Sequence, residues 1–320
     1  MEALVIRNLS RPKGNRSLGA GCMLLADLFC SVQAVCIKAV LPDFNVPTLV
    51  MFRGVIGLLA FYVALLCMER RGKLRTLYRT KSLGLQMLRA TSGFCTAYMF
   101  YYSIFVLPLG TAVLLFYLYP VLTPFVVRIW FRVRLLKRLL IGICIAFVGV
   151  ALVMHPHVYP LNGKIFVPVV GAVLGAINLT GTRLLYYKEE SADTVNAYYF
   201  SVGALLSILT FFAVPAEHVN VLTSRSLLLA LATGCAACFY QSFLNLSTKY
   251  ASSRFLSTFV YGIFLFSAIW DRLFFGYVPE PVTRVGFGLI VIGTILLVAL
   301  YPRKNDLVLV RDDVNRTDSA

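Results

Sequence analysis

Apolar residues dominate ten long blocks of this chain, and short polar connections separate the blocks. A helix needs about 20 apolar residues to cross a hydrocarbon core about 30 Å thick, and the blocks have roughly that length. They are apolar on every side, whereas strands of a membrane barrel would alternate over about ten residues. The pattern predicts an all-α polytopic membrane protein with ten transmembrane helices, at 18–41, 47–68, 84–107, 109–131, 139–154, 165–187, 195–214, 226–247, 252–275 and 282–301.

The distribution of Lys and Arg predicts the orientation of these spans. With the N-terminus in the cytoplasm, 23 of the 30 basic residues fall on the cytoplasmic side, many of them in 70–81 and 128–138. An excess of basic residues in cytoplasmic connections is the rule for membrane proteins. We therefore expect both termini in the cytoplasm, as tails at 1–17 and 302–320, and a bacterial inner membrane as the location.

Composition supports a membrane protein rather than a soluble domain. Hydrophobic residues make up 59% and charged residues 14%, and the mean hydropathy is +0.80. Soluble domains are typically ~45–50% apolar and ~25% charged. A net charge of +16 raises nucleic acid as a partner. The basic residues lie in short connections rather than in a soluble module, so lipids and a small solute are the expected partners, and nucleic acid is not.

Cysteine and histidine residues indicate no metal site, disulfide framework or cofactor. All eight cysteines lie in apolar blocks, and the C-x-x-C pair of Cys235 and Cys238 has neither a second pair nor flanking histidines. Buried cysteine behaves as a small hydrophobic residue. No H-E-x-x-H, G-x-S-x-G or Walker motif occurs. The sequence therefore predicts neither an enzyme nor an ATP-driven pump.

The chain also repeats a pattern at an offset of 144 residues. Gly142 and Gly149 in the fifth span match Gly286 and Gly293 in the tenth, each pair being followed by an aliphatic run. The pattern favours two five-helix units, at 18–154 and 165–301. Five is odd, so the second unit must be inverted in the membrane, an arrangement that recurs in transporters. The alternative is that Gly-x6-Gly recurs simply because the helices pack tightly.

Several local patterns resemble the EamA branch of the drug/metabolite transporter superfamily. They are Lys38 at the end of the first span, Phe52-Arg53-Gly54, Leu88-Arg89, and the run 108–124 with its Tyr119-Pro120. The resemblance covers 18–301 and implies a ten-helix secondary transporter built from two inverted repeats. The Gly-Glu that the family usually carries between its fourth and fifth helices, and again between its ninth and tenth, is absent.

Charged residues inside the spans are the first candidates for a binding site, because burying them in a membrane is costly. Asp27 lies nine residues into the first span, near mid-membrane, and Ser31 and Lys38 follow on the same helical face. Arg53 enters the second span from the predicted outer side, at the level of Lys38 and Asp271. The alternatives are a structural hydrogen bond for Asp27 and a side chain that reaches the interface for Lys38 or Arg53.

Uncharged candidates complete the predicted site. Aromatic rings suit a planar or cationic solute, although interface belts explain many tyrosines equally well. Polar amides inside spans could contact the solute or join helices. The uncharged candidates for substrate binding are Tyr98, Tyr102, Tyr117, Asn178, Gln241 and Tyr261.

Together these residues predict a secondary transporter of a small polar or zwitterionic metabolite that works by alternating access. Asp27 suits a cationic group, and Lys38 or Arg53 suits a carboxylate or phosphate. The resemblance implies, as the first substrate hypothesis, antiport of S-adenosylmethionine against S-adenosylhomocysteine. Amino acids, nucleotides or nucleotide sugars, and drugs are alternatives, and a membrane scaffold or receptor is the non-transporting alternative.

Overall fold

Helices make up every regular element in the part of the chain that the computed structural model describes, which comprises residues 16–67, 77–107, 109–131, 137–153, 166–214, 222–250, 259, 262–276, 278 and 280–300. In chain order the helices are α1 (Arg16–Val40), α2 (Val46–Cys67), α3 (Leu83–Val106), α4 (Leu109–Phe116), α5 (Tyr119–Phe131), α6 (Lys137–Val153), α7 (Val167–Tyr187), α8 (Ala192–Ala213), α9 (Ser224–Tyr250), α10 (Gly262–Phe275) and α11 (Pro281–Leu300). Residues 1–15 and 302–320 of the predicted tails, and residue 301 of the tenth predicted span, lie outside the described residues.

Six stretches of described helix are long and apolar enough to cross a membrane. They are Ser17–Val40, Val46–Cys67, Thr111–Trp130, which comprises parts of α4 and α5, Val167–Tyr186, Ala192–Ala213 and Ser224–Leu244. Pro281–Gly293 is a shorter apolar stretch of α11. Large apolar side chains such as Phe212 and Ile129 point outward, where a soluble protein would place polar groups. These features are those of a polytopic helical membrane protein. The number of ten spans stays a prediction.

The fourth predicted span is not one continuous helix. It divides at Tyr117 and Leu118 into α4 and α5. Pro120 explains the break, because its ring clashes with the carbonyl of the residue four positions earlier, which is Phe116, the last residue of α4. The turn is fully buried. Broken helices inside a membrane are tolerated where protein covers them, and they often line the binding sites of transporters.

The helix contacts are equivalent in the two halves of the chain: when each helix is replaced by its counterpart in the other half, one observed contact becomes another observed contact. In this correspondence α1, α2 and α3 match α7, α8 and α9, while α4 with α5 matches α10, and α6 matches α11. Helix α1 packs on α9 as α7 packs on α3, α2 packs on α9 as α8 packs on α3, and α5 packs on α7 as α10 packs on α1. The remaining large contacts join counterparts: α2 with α8, α4 with α10, and α6 with α11.

Helices α6 and α11 come into backbone contact at glycines. A Cβ on Gly149 would lie 2.7 Å from the carbonyl oxygen of Gly286, and one on Gly293 would lie 2.7 Å from the carbonyl oxygen of Gly142. No real side chain fits at these distances, so both positions require glycine unless the helices move apart. The close helix contact expected at these two glycine pairs is therefore present, and each pair contacts the other.

Candidate functional site

The predicted polar stripe of α1 faces the interior of the protein. Asp27, Ser31 and Ala34 are fully buried, and Lys38 is partly buried. Helix α1 packs mainly on α9 and α10, so the stripe meets helices from the second half of the chain.

Asp27 lies against the first residues of α10. A Cβ on Gly262 would be 3.1 Å from Oδ2 of Asp27, so the glycine leaves room for the carboxylate. The backbone N–H of Ile263 approaches the carboxylate from the start of α10. Its geometry falls short of a hydrogen bond, since neither carboxylate oxygen has a hydrogen-bond partner among the described residues. A helix N-terminus favours a carboxylate through its partial positive charge, and both oxygens can still accept a hydrogen bond.

Two hydrogen bonds join α1 to the elements beside Asp27. The indole Nε1 of Trp270 donates to Oγ of Ser31 at 3.1 Å, one helical turn from Asp27. The Tyr117 hydroxyl, in the turn between α4 and α5, donates to Sγ of Cys30 at 3.3 Å. Ser31 therefore has a structural partner here, and Tyr117 lies in the interior, as its central position in the fourth span suggests.

Arg53 lies within a group of tyrosines. Its Nη2 donates to the Tyr199 hydroxyl at 2.9 Å, and Tyr101 and Tyr240 also act on its charge. Tyr101 is fully buried and accepts a hydrogen bond from Nε2 of Gln33 at 3.0 Å. The Nε of Arg53 is buried and has no hydrogen-bond partner in the described part of the chain. The guanidinium therefore retains a donor for a ligand.

Cys30 lies near both charged residues, because its thiol is within electrostatic range of Asp27 and of Arg53. Opposite charges that meet directly in a low-dielectric interior would form an ion pair. Here the carboxylate has no hydrogen-bond partner among the described residues, and the groups that act most strongly on Arg53 are tyrosines. One interior thus holds a carboxylate and a guanidinium that do not neutralise each other.

Arg89 also lies against Tyr199. Its guanidinium carbon lies 4.4 Å from the centre of the Tyr199 ring, a cation–π distance. Nε donates to Oγ1 of Thr182 at 3.0 Å, and Nη1 donates to the carbonyl oxygen of Val195 at 2.9 Å. A Cβ on Gly93 would lie 2.6 Å from the tyrosine ring, so glycine lets the ring lie against α3. Arg89 is buried and is fixed by these contacts.

Lys38 caps the end of α3. Its Nζ donates to the carbonyl oxygens of Ile104 and Leu107, each at 2.9 Å, and Asp271 acts on its charge. Carbonyls at a helix C-terminus lack intrahelical partners, and a lysine there satisfies them. An open pocket of about 340 Å³ adjoins this end, lined by Val35, Lys38, Ala39, Pro42, Arg225, Phe274 and Phe275. The expected proximity of Lys38 and Asp271 is present, and Arg53 belongs to the tyrosine group instead.

The two amide candidates occupy different parts of the interior. Oδ1 of Asn178 accepts a hydrogen bond from Thr182 at 3.3 Å, which places Asn178 next to the Arg89 contacts. Gln241 is buried in α9, directly after Tyr240. A role for either in substrate binding stays a prediction.

Two of the aromatic candidates lie on one face of α3, and the other two lie outside this helix. Tyr98 and Tyr102 are half-buried at the edge of the core. The neighbouring Tyr101, on a different face, is the α3 tyrosine that lies near Arg53. Tyr261 lies outside the described residues, although it precedes Gly262 directly.

The sequence did not single out four aromatic residues that line this interior, namely Tyr101, Tyr199, Tyr240 and Trp270. For Tyr101 a signal existed: Gly93, Ala97 and Tyr101 recur at four-residue spacing, and the small residues mark the face of α3 that other helices approach. For the others, belts of tyrosine and tryptophan at membrane interfaces give the same composition.

A set of polar contacts, here named the Glu190 latch, lies at the end of the molecule at which α3 and α8 begin. Oε1 of Glu190 accepts hydrogen bonds from Oγ1 of Thr80 at 2.6 Å and from the backbone N–H of Lys81 at 3.1 Å. The Tyr198 hydroxyl donates to the carbonyl oxygen of Tyr78 at 2.9 Å. These contacts tie the segment before α3 to the start of α8, which belongs to the second half of the chain.

Relatives of this chain are named as transport proteins. It is 24% identical over 278 residues to the pseudopaline exporter CntI of Pseudomonas aeruginosa, across 86% of this chain and 93% of that protein. It is 22% identical over 254 residues to a probable transport protein of Saccharomyces cerevisiae, across 72% of each chain.

The fold also matches a solved structure. A protein known from its crystal structure superposes with a TM-score of 0.62 at 15% identity, over 90% of this chain and 100% of that one. At this identity the match concerns the fold alone.

The sequence model of the EamA-like transporter family matches this chain twice, at residues 17–155 and 162–299. The two matches cover nearly all of the helical part of the chain, so the protein is an integral, multi-pass membrane protein of a transporter family. The resemblance to the S-adenosylmethionine branch receives no support from these relatives. The chain belongs to the EamA-like transporter family.

Proposed function

We propose that this protein is a secondary transporter that moves a small zwitterionic metabolite by alternating access. The observation that carries the proposal is the pair of opposite charges, Asp27 and Arg53, which lie in one interior near Cys30 and have polar atoms without hydrogen-bond partners among the described residues. A zwitterion offers both complements at once: a cationic group for the carboxylate and an acidic group for the free guanidinium donor. The surrounding tyrosines offer hydroxyl and ring contacts to the rest of the solute.

Alternating access requires two units that can move against each other around the site. Two inverted five-helix repeats in a ten-span protein would supply them. The double family match supports the repeat, and so does the packing in which helix pairs exchange with the halves. The glycine contacts also support the repeat. An offset of 144 residues relates Gly149 to Gly293 and Gly142 to Gly286, so the Gly149–Gly286 contact and the Gly293–Gly142 contact are equivalent.

The candidate site lies between the proposed units. Asp27 and Arg53 come from the first half, and Gly262, Tyr199 and Tyr240 meet them from the second. Movement between the halves would therefore expose the site to one side of the membrane or the other. The Glu190 latch also joins the halves, so it would close one end of the pathway and would have to open during each cycle.

The direction of transport and the identity of the transported solute are also part of the proposal. The relative named as a pseudopaline exporter favours export. Antiport, a bacterial inner membrane and cytoplasmic termini remain proposals from the charge distribution and the family resemblance. S-adenosylmethionine belongs to the class of charged metabolites to be tested, without preference over amino acids and their derivatives.

Flux through vesicles tests the proposal. Purified full-length protein is reconstituted in liposomes loaded with radiolabelled alanine, glutamate, lysine or S-adenosylmethionine, and efflux is compared with empty liposomes. We expect efflux of a zwitterionic compound, abolished by Asp27→Asn and by Arg53→Gln. The matched controls are Asp43→Asn and Arg79→Gln, which change a carboxylate and a guanidinium outside the helices. A folded protein that moves none of these solutes would favour a scaffold or receptor instead.

A further inference from the structure

Tyr199 brings two guanidinium groups together in the interior. The guanidinium carbon of Arg89 lies 4.4 Å from the centre of its ring, and that of Arg53 lies 5.9 Å from the same point. Two like charges on one aromatic ring repel each other, and the repulsion is stronger away from water. An arrangement of this kind is stable only if other groups compensate for the positive charge.

The compensation visible around these arginines comes from neutral groups. The side chains that act most strongly on Arg53 are Tyr199, Tyr101 and Tyr240, and those that act on Arg89 are Tyr199 and Tyr186. None of them is a carboxylate. Hydroxyl groups and π faces stabilise a cation without cancelling its charge.

The carboxylates near this region do not remove the excess. Asp193, at the start of α8, acts on Tyr186 and has interactions of its own. Asp27 is fully buried, and neither of its oxygens has a hydrogen-bond partner in the described residues. As a carboxylate, Asp27 offsets only one of the two positive charges of Arg53 and Arg89, so the interior keeps a positive excess.

We propose that the cargo carries net negative charge, with an acidic group bound to Arg53 beside the Tyr199 hydroxyl. This inference rests on the proposed transport function and narrows its substrate class from zwitterions in general to solutes with more acidic than basic groups. Arg53 supplies the contact, since its buried Nε lacks a hydrogen-bond partner among the described residues. Arg89 adds a second positive charge close to the same ring, and its hydrogen bonds to Thr182 and Val195 hold it in place.

Tyr199 is a positioning residue in this arrangement. Its hydroxyl accepts the hydrogen bond from Nη2 of Arg53 at 2.9 Å and so turns the guanidinium. An oxyanion could then accept a hydrogen bond from Nε and a second one from another N–H of the same guanidinium, which is how arginine commonly binds carboxylates. Lysine at position 53 would retain the charge and lose this two-point geometry.

Binding of simple probes to the purified full-length protein in detergent tests the inference without a known substrate. Thermal unfolding is followed at constant ionic strength with succinate, glutamate or inorganic phosphate as acidic probes. Alanine and lysine are the neutral and cationic probes, and chloride is the reference. We expect at least one acidic probe to raise the unfolding midpoint of the wild type well above its value in chloride, and lysine to leave it unchanged.

Variants assign the effect to the arginine. Arg53→Gln should weaken the apparent affinity for the stabilising acid by about tenfold or more, as expected for a lost hydrogen bond to a charged group. Arg79→Gln, at an exposed arginine, should leave it unchanged. Tyr199→Phe should reduce the preference for glutamate over alanine, a ratio that a merely structural role would not alter. If Arg53→Gln does not fold, Arg53→Lys replaces it and should show an intermediate affinity.

Two results would overturn the inference. One is that all three acidic probes leave the wild-type midpoint at its chloride value; the other is that they stabilise wild type and Arg53→Gln equally. Vesicle flux separates this failure from that of the transport function. Efflux of alanine or lysine without efflux of glutamate or succinate would contradict net negative cargo while transport stands. Arginine-dependent binding of acids with no efflux of any solute would contradict transport alone.

Discussion

Nη2 of Arg53 donates a hydrogen bond to the hydroxyl of Tyr199 at 2.9 Å, although the two residues are 146 positions apart in the chain. The bond joins α2 to α8, one helix from each half matched by the family description. It also brings a guanidinium into the interior that contains Asp27. The main predictions of the structure concern this interior and the two ends that give access to it.

Removing the Asp27 carboxylate should abolish transport and leave the fold intact. Asp27→Asn retains the size of the side chain but cannot bind a cationic group or release a proton. We expect efflux from vesicles to fall at least about tenfold, the loss typical of a charged hydrogen bond, with unchanged yield and unfolding temperature. The matched control is Asp43→Asn in the turn before α2. Unimpaired efflux in Asp27→Asn would remove this residue from the site.

A methyl group at Gly262 should impair transport through Asp27. The Cβ of Gly262→Ala would lie 3.1 Å from Oδ2, so the carboxylate or the start of α10 must shift by a few tenths of an ångström. Efflux should decrease by less than in Asp27→Asn. Gly288→Ala is the control, because no atom lies within 4 Å of its added Cβ. Equal efflux in the two alanine variants would show that the close approach has no functional consequence.

Lys38 should contribute to stability rather than to solute affinity. Its ammonium group caps the carbonyls of Ile104 and Leu107, and losing these charged hydrogen bonds should cost on the order of 2 kcal/mol. We expect Lys38→Gln to lower the apparent unfolding temperature in detergent while the apparent affinity for the transported solute stays constant. An affinity that falls selectively for acidic solutes would instead place Lys38 in the binding site, as the sequence suggests.

Weakening the Glu190 latch should open one end of the pathway. Glu190→Gln reduces the acceptor strength of the group that binds Thr80 and Lys81. The buried thiol of Cys30 should then react faster with a water-soluble maleimide in detergent. Lys188→Gln, at an exposed neighbour outside the latch, is the control. Labelling of Cys30 at the wild-type rate in Glu190→Gln would mean that the latch does not control access.

The two exposed connections at opposite ends of the molecule test the orientation. In a cysteine-free background, a cysteine at Pro42 lies between α1 and α2, and one at Arg79 lies before α3. An impermeant thiol reagent added to intact cells should label position 42 and not position 79. Lysis of the cells should allow labelling of both positions. Labelling of both in intact cells would contradict cytoplasmic placement of the 70–81 connection.

Several properties of this protein follow from the sequence alone. Blocks of about 20 apolar residues can be satisfied only by helices within a membrane, because each helix forms its own backbone hydrogen bonds. Gly149 and Gly293 indicate a helix crossing, since the absence of a side chain matters only where another backbone comes close. Asp27 and Arg53 stand out because burying a charge in a membrane is costly. Each of these inferences depends on local properties of the chain.

Only the tertiary structure determines which residues line the interior. Four-residue spacing places Tyr98 and Tyr102 on one face of α3. Only the packing of α3 against its neighbours turns the adjacent face, which carries Tyr101, towards the region of Arg53. In the sequence Tyr199 looks like a membrane-interface tyrosine, and only the packing of the helices brings Arg53 and Arg89 close to its ring. Lys38 could reach water or a ligand by its position in the chain, and the end of α3 supplies the carbonyls that it binds. Contacts between helices far apart in sequence decided these roles, because a helix determines which residues share a face but not which helix will cover that face.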